Sequence, residues 1–524
     1  MREQRQDQPC YSAPEVERSW QSRLAGKVWR GHSGSRCLCY SGGILMKKRS
    51  ALSLASFLFI VFGPLGIHAQ VKEQPPANSY STTPRTCKVC IRAHEEFLAS
   101  DALRGRGSGT QDELLAATYI ASQLRQYDVA PAGDDGGYVQ QVVVIQDVIT
   151  AAPQLSISTP SGSQSVVWTC GKEFRVEVLS QIEFSGPLQN IDAGQAPPAT
   201  KPGAIVLLSG KDRAQVRAAV LAAVSAGAAA VLIPLSGKSA ISAEADQIPK
   251  SPLRVEGGSR PRRFETFNLL EVTSDASRSL EQMPEGAMVR FTAASQPKKS
   301  WTWNSVGILR GSSPSTHGAV LLSAHLDHLG IGPPVNGDAI YNGADDDASG
   351  TTAVLELARI LSRGPRPRRT VIFALFGSEE AGGLGSTYFR DHPTVPLDGI
   401  AVNLEFEMIG RRDPSVNGDT LWLTGWERSN LGPQLAAHGA TLVRDPHPAE
   451  DFFARSDNYL LAVDGVVAQT ISSYGLHDDY HQPSDDLAHL DFKHMDAAIA
   501  ALIPAMEWLV NSGFRPQWNP GGKP

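Results

Sequence analysis

The chain has 524 residues, 41% hydrophobic and 19% charged, with a formal net charge of −6 at neutral pH. At roughly 100–200 residues per domain this is enough for two to four units with a sizeable core, and the composition is that of a soluble globular protein. The charge gives no reason to expect nucleic acid or an anionic membrane surface as a partner.

Residues 1–45 are polar, rich in Ser, Arg and Gly, and without periodicity. They read as an extension upstream of a true start at Met46, or as a disordered extension. From Met46 the chain runs MKKRSALSLASFLFIVFGPLGIHAQ, with a basic head (Lys47, Lys48, Arg49), an apolar run over about 51–62 and then Ala69. That is the plan of a secretory signal peptide at 46–69. The apolar run is shorter than the ~20 residues a membrane span needs, so the expectation is export, periplasmic or secreted, with no stable span once the segment is cleaved. An uncleaved anchor is the alternative. Cysteines stand at 10, 37, 39, 87, 90 and 170, and Cys87, Cys90 and Cys170 would remain after processing. One pair can be oxidised in an exported protein. Cys87 and Cys90 are the close pair, with Cys170 the other candidate partner.

After a Pro/Ser/Thr-rich linker at 70–90, helical periodicity runs over 91–124, interrupted by the Gly-rich SDALRGRGSGTQDE. From about 150 to 295 the texture changes to short strand-like runs at 154–157, 166–168 and 182–184. A buried strand at 204–208, a helix at about 214–226 and a strand at 229–233 follow, forming a small α/β unit of its own. From about 296 to 515 apolar strands at 319–323, 370–376 and 400–406 alternate with helical stripes; one stripe of Val354, Leu357, Ala358 and Leu361 is stopped by Gly364-Pro365. Residues 516–524 are a tail. Strands separated by helices imply an α/β fold with a doubly wound, mostly parallel sheet flanked by helices. In such sheets ligands bind beyond the carboxyl ends of the strands.

Each of these strands runs into residues that bind metals. The first leads into His325, Asp327 and His328, the second into Glu379 and Glu380, the third into Glu405 and Glu407; LHDDYHQPSDD adds His477, Asp478, Asp479 and His481, and YNGADDDASG adds Asp345, Asp346 and Asp347. Imidazoles mixed with carboxylates suit zinc, and two histidines with three acids fit two ions sharing a carboxylate. Of two adjacent glutamates, one can face a metal while its neighbour acts as a general base.

Taken in order, SAHLDHLG, GDAIYNGADDDASG, FGSEEAGGLGS, EMIGR and DDYHQPSDD resemble the exported co-catalytic dinuclear zinc aminopeptidases, a family that includes glutamate carboxypeptidases and glutaminyl cyclases. The likeness covers about 91–149 and 300–514, and the intervening 150–295 is similar to an inserted protease-associated domain, β-rich and α/β. The resemblance implies that His325 and Glu407 hold one zinc, that Glu380 and His481 hold the other, and that Asp346 bridges them. It makes Glu379 the general base and Asp327 the acid behind the first histidine. The family has Asp where this chain has Glu407, and Glu405 is a rival ligand on the same strand face. His328, His477, Asp478, Asp479 and Tyr480 each have a structural as well as a pocket-lining reading, and Ser456-Asp457 falls outside the catalytic set. The implied activity is removal of N-terminal residues from peptide substrates. A carboxypeptidase, a glutaminyl cyclase or an inactive peptide-binding relative are the alternatives; oligomeric state is left open.

Overall fold

The computed structural model describes residues 85–524 apart from 163–164, 195–199, 211, 236–250, 252, 259–266 and 314–317. The expected signal segment at 46–69 and the extension before it lie outside the described residues.

The Gly-rich interruption separates two helices, as its composition implied. α1 (Lys88–Leu98) begins on Cys87, which is disulfide-bonded to Cys90, the close pair; Cys170 lies buried in the insert. α2 (Gln111–Gln126) begins on Thr110, whose hydroxyl accepts the Glu113 amide at 3.4 Å, an N-cap that satisfies an otherwise orphaned donor. Between them the chain reverses through left-handed backbone at Arg104, Gly105 and Arg106. A side chain at Gly105 would put its Cβ 2.2 Å from the carbonyl oxygen of Tyr341, so only glycine fits.

Eight of the ten strands in the main sheet are β1 (Val139–Ile149), β2 (Ser295–Leu309), β3 (Ala319–His325), β4 (Val371–Phe376), β5 (Ile400–Phe406), β6 (Leu421–Leu423), β7 (Leu442–Arg444) and β8 (Val467–Ser472), in the spatial order β7-β6-β8-β5-β3-β4-β2-β1. The centre, β8-β5-β3-β4, is parallel, as expected. Its strands are largely apolar and almost wholly buried because both faces are covered. Val320 and Leu322 point into one core cluster and Ala319 and Leu321 into the other, the two-residue alternation of a strand. The helices over these faces include α3 (Gly350–Arg363), α4 (Leu384–Asp391), α5 (Asn458–Asp464) and α6 (Phe492–Asn511).

Outside the centre the pairing is mixed: β2 runs antiparallel to β4 and β1, and β6 runs antiparallel to β8 but parallel to β7. β1 and β2 pair along the full length of β1, from Val139 opposite Ser305 to Ile149 opposite Ser295. This ribbon leads out to, and back from, a second sheet of eight strands lying between Gln154 and Thr292. That sheet holds the predicted α/β unit: Ile205–Ser209, the helix Arg213–Ser225 and Ala230–Pro234. One insert strand, Leu253–Val255, returns to pair with β1, and the Ser251 hydroxyl donates to the Asp147 carbonyl at 2.5 Å. Among the described residues no helix is long and apolar enough to cross a membrane.

Phe373 lies at the middle of β4 and is fully buried. Phe373→Ala should cost about 3–5 kcal/mol of stability, read as a lowered urea midpoint at unchanged slope. A loss below about 1 kcal/mol would mean that the central strands do not form the main core.

Candidate metal centre

The parallel strands deliver their carboxyl ends to one place. His325 is the last residue of β3, Glu379 and Glu380 follow β4, Glu407 follows β5, and His481 lies in the loop beyond β8. Asp346 stands between Gly343 and α3. Its backbone turn is possible because Gly343 is left-handed (φ +60°) and has no Cβ, which would lie 2.2 Å from the Asp346 carbonyl oxygen.

Asp346 is the hub. Its Oδ1 lies 3.1 Å from His325 Nε2 and its Oδ2 lies 3.2 Å from His481 Nε2. His481 Nε2 is also 3.3 Å from Glu380 Oε2. Ligand atoms about 2.0–2.1 Å from a tetrahedral ion are spaced ~3.3–3.4 Å from one another, so these separations suit atoms that share a cation. Burial opposes charge on Asp346, but hydrogen bonds with His325 and His481 hold its carboxyl well below the usual carboxylate range. Glu380, also disfavoured by burial, is drawn down to about 2 by the imidazoles of His481 and His328. The chemistry of this donor set, nitrogen and carboxylate oxygen on buried walls, fits zinc. Several atoms here have no hydrogen-bond partner, among them His325 Nδ1, both ring nitrogens of His328, and Glu380 Oε1. A buried polar atom left unpaired costs about 1–3 kcal/mol, and a bound cation would relieve that cost.

The three consecutive aspartates divide their work. Asp345 accepts the Gly410 amide at 2.6 Å and faces His477 Nε2 at 3.0 Å, pinning two ligand-bearing loops to each other. Asp347 accepts the Gly350 amide at 3.0 Å at the start of α3. It also accepts Met408 N at 3.0 Å and His325 N at 3.3 Å, tying the ends of β5 and β3 together. Asp346 alone faces the centre.

Glu379 is held by its own amide, which donates to Asp327 Oδ1 at 3.0 Å; Asp327 Oδ2 accepts the Ser108 hydroxyl at 2.5 Å. Asp327 stands 3.7 Å behind His325 Nδ1, beyond hydrogen-bond length, so its direct bonds are to the Glu379 backbone and Ser108. Burial pushes the Glu379 carboxyl well above the ordinary glutamate value, opposed by nearby His325 and reinforced by Asp457, Glu407 and Glu380. Glu407 is raised by burial too and opposed by His325. Glu405, the rival, is bonded by the Ser323 hydroxyl across the β3–β5 register, and its acidic neighbours are Asp457, Glu407 and Asp347.

Other residues separate in the same way. Asp479 pairs with Arg411 at 2.6 Å and Asp478 is exposed, while the Tyr480 ring stacks on His481 with centroids 3.8 Å apart. Asp457, outside the predicted set, is buried against the acid cluster; burial raises its carboxyl to about 7 despite a hydrogen bond from Ser386.

Sequence reasoning missed the braces. Buried Arg106 donates to four carbonyls, those of Leu98, Leu326, Asn342 and Gly343, at 2.6–3.0 Å. It thereby joins the N-terminal segment to the loops on either side of His325 and Asp346. Asp485 accepts the amides of Asp345 at 2.9 Å and Asp346 at 3.0 Å. Glu113 accepts the hydroxyls of Thr302 at 2.8 Å and Ser378 at 2.9 Å, the latter next to Glu379. Arginine within RGRG and the second SDD were the available signals, but neither spacing says which backbone it will meet.

Residues 304–506 match the family model described as peptidase family M28. That span contains every proposed ligand and the proposed base, and the matching family is the one that the motifs resemble. Among curated proteins, the chain is 31% identical over 147 residues to "Probable lipoprotein aminopeptidase LpqL" of Mycobacterium tuberculosis, covering 28% of this chain and 27% of that one. It is 30% identical over 128 residues to Aminopeptidase YwaD of Bacillus subtilis, covering 24% and 23%. The matches thus span about a quarter of these relatives' length. Among solved structures, an aminopeptidase from Aneurinibacillus sp. strain AM-1 aligns over 82% of this chain and 95% of that one, at 19% identity and a TM-score of 0.48.

Arg106→Lys keeps the charge but cannot serve four carbonyls, so it should lower stability by about 2–4 kcal/mol. Urea unfolding checks this; a loss below about 0.5 kcal/mol would show that the four bonds do not hold the loops.

Proposed function

We propose that the protein is a zinc-dependent exopeptidase that removes N-terminal residues from peptides. The observation that carries this reading is the placement of Asp346, whose two oxygens face two imidazole nitrogens at 3.1 and 3.2 Å from opposite sides. His325 and Glu407 would hold one zinc ion, Glu380 and His481 a second, and Asp346 both. Two zinc ions, when bound, polarise the scissile carbonyl and lower the proton affinity of water.

The remaining chemistry belongs to the chain. The Glu379 carboxylate takes a proton from the attacking water and returns it to the leaving amine. Its burial gives it a high proton affinity, and the cationic surroundings of a filled centre would lower that affinity toward the working pH. Asp327, bonded to the Glu379 amide, keeps the base at a fixed height beside His325. Aminopeptidase activity in the named relatives supports N-terminal rather than C-terminal action. So does Arg411, which pairs with Asp479 at 2.6 Å and faces Asp485 at 3.6 Å rather than standing open to a substrate carboxylate. A residue able to bind a metal at each of the five ligand positions, with Glu407 in place of Asp, together with the base, speaks against an inactive binding relative. The disulfide between Cys87 and Cys90 supports an exported protein, since such bonds persist in oxidising compartments. The inserted sheet reads as a protease-associated domain at 150–295.

Hydrolysis of aminoacyl chromogenic substrates should be abolished by 1,10-phenanthroline and restored by zinc; hydrolysis that persists in the chelator contradicts the proposal. Glu379→Gln should lower turnover by about 10²–10⁴-fold with zinc content retained, and undiminished turnover would remove Glu379 as the base. By metal analysis, Asp346→Asn should lose both ions whereas Asp347→Asn should keep them. The opposite pattern would move the bridge to Asp347.

A further inference from the structure

His328 is fully buried, yet it has no hydrogen bond at either ring nitrogen. Its Nδ1 lies 2.8 Å from Glu380 Oε1, without the alignment of a hydrogen bond, and 3.9 Å from Asp346 Oδ2. Among the described residues, donor atoms of His328, Asp346 and Glu380 converge to within 4.8 Å of one another, the grouping expected of a cation site. The ring is held in this orientation from several sides. The His328 amide donates to the Arg106 carbonyl at 3.1 Å, and residue 328 forms a bridge with Gly107. The ring packs so closely on Gly343 that a Cβ there would lie 2.4 Å from His328 Cγ, and His481 meets it edge-on with centroids 5.7 Å apart.

We propose that His328 Nδ1 is a further protein ligand, to the ion held by Glu380 and His481. The inference rests on the zinc reading above and deepens it. Asp346, Glu380, His481 and His328 then surround one ion, while His325, Asp346 and Glu407 hold the other. Four protein ligands close a tetrahedral zinc site, and three leave a position for water or substrate. The two halves of the centre therefore differ. The closed half anchors the bridging carboxylate, and the exchangeable position falls at His325, on the side where Asp327 holds the Glu379 backbone. In this arrangement Glu380, engaged by two imidazoles through separate oxygens, fixes geometry, while Glu379 meets the reacting water.

The test is zinc X-ray absorption on the full chain loaded with zinc. Three imidazoles shared by two ions give an average of about 1.5 per zinc, against about 1.0 if His328 only orients Glu380. The count should fall to about 1.0 in His328→Ala, with His328→Gln as a second variant should the first fold poorly. An average of about 1.0 in the unsubstituted protein, or a count unchanged by either substitution, overturns the proposal while leaving the zinc reading intact. Failure to bind zinc at all overturns both.

Discussion

The centre depends on one carboxylate that has been taken out of water. Asp346 is 2% exposed and is surrounded by other buried acids, among them Asp327, Asp345, Asp347, Glu405, Asp457 and Asp485. Such a cluster is unfavourable unless each charge is neutralised by a proton, a hydrogen bond or a cation. Protons and hydrogen bonds serve most of these acids. Burial pushes Glu405, Asp347 and Asp485 toward the protonated form. Backbone amides satisfy Asp345, Asp347 and Asp485. Asp346 stays ionised between two imidazoles, the position from which two cations could be shared.

The fold supplies the rigidity that this arrangement requires. Strands covered on both faces end at a common level, so short loops beyond β3, β4, β5 and β8 need only a few bonds to bring their side chains together. Those bonds come largely from groups that do not face the centre. Asp347 ties two strand ends to the start of α3, and Arg106 reaches in from the N-terminal segment to four carbonyls. Left-handed backbone at Ser378, Met408 and His481, each at or beside a proposed base or ligand, is strain retained where side-chain direction matters most.

The parallel strands and the gathering of acids and histidines at their ends were legible because each follows from local chemistry: an apolar run needs two covered faces, and polar side chains converge beyond the carboxyl ends of such strands. The antiparallel ribbon of β1 and β2 was not, because VQQVVVIQDVI and SQPKKSWTWNSVGIL mix polar and apolar residues without clean alternation. The Gly-rich break between α1 and α2 was legible, but not the left-handed backbone of Arg104 and Arg106, which carries no strong sequence signal. Arg106 and Asp485 escaped notice for a different reason. Their roles depend on contacts to backbone as far as 237 and 140 residues away, which no local pattern encodes. The disulfide was half legible: spacing favoured Cys87 with Cys90, and only the fold sets Cys170 apart in the insert.

The most direct measurement is anomalous diffraction at the zinc edge from crystals grown with zinc. The account predicts two peaks ~3.5–4 Å apart, each about 2.0–2.2 Å from a different oxygen of Asp346. A single peak, or peaks that do not touch Asp346, would contradict it.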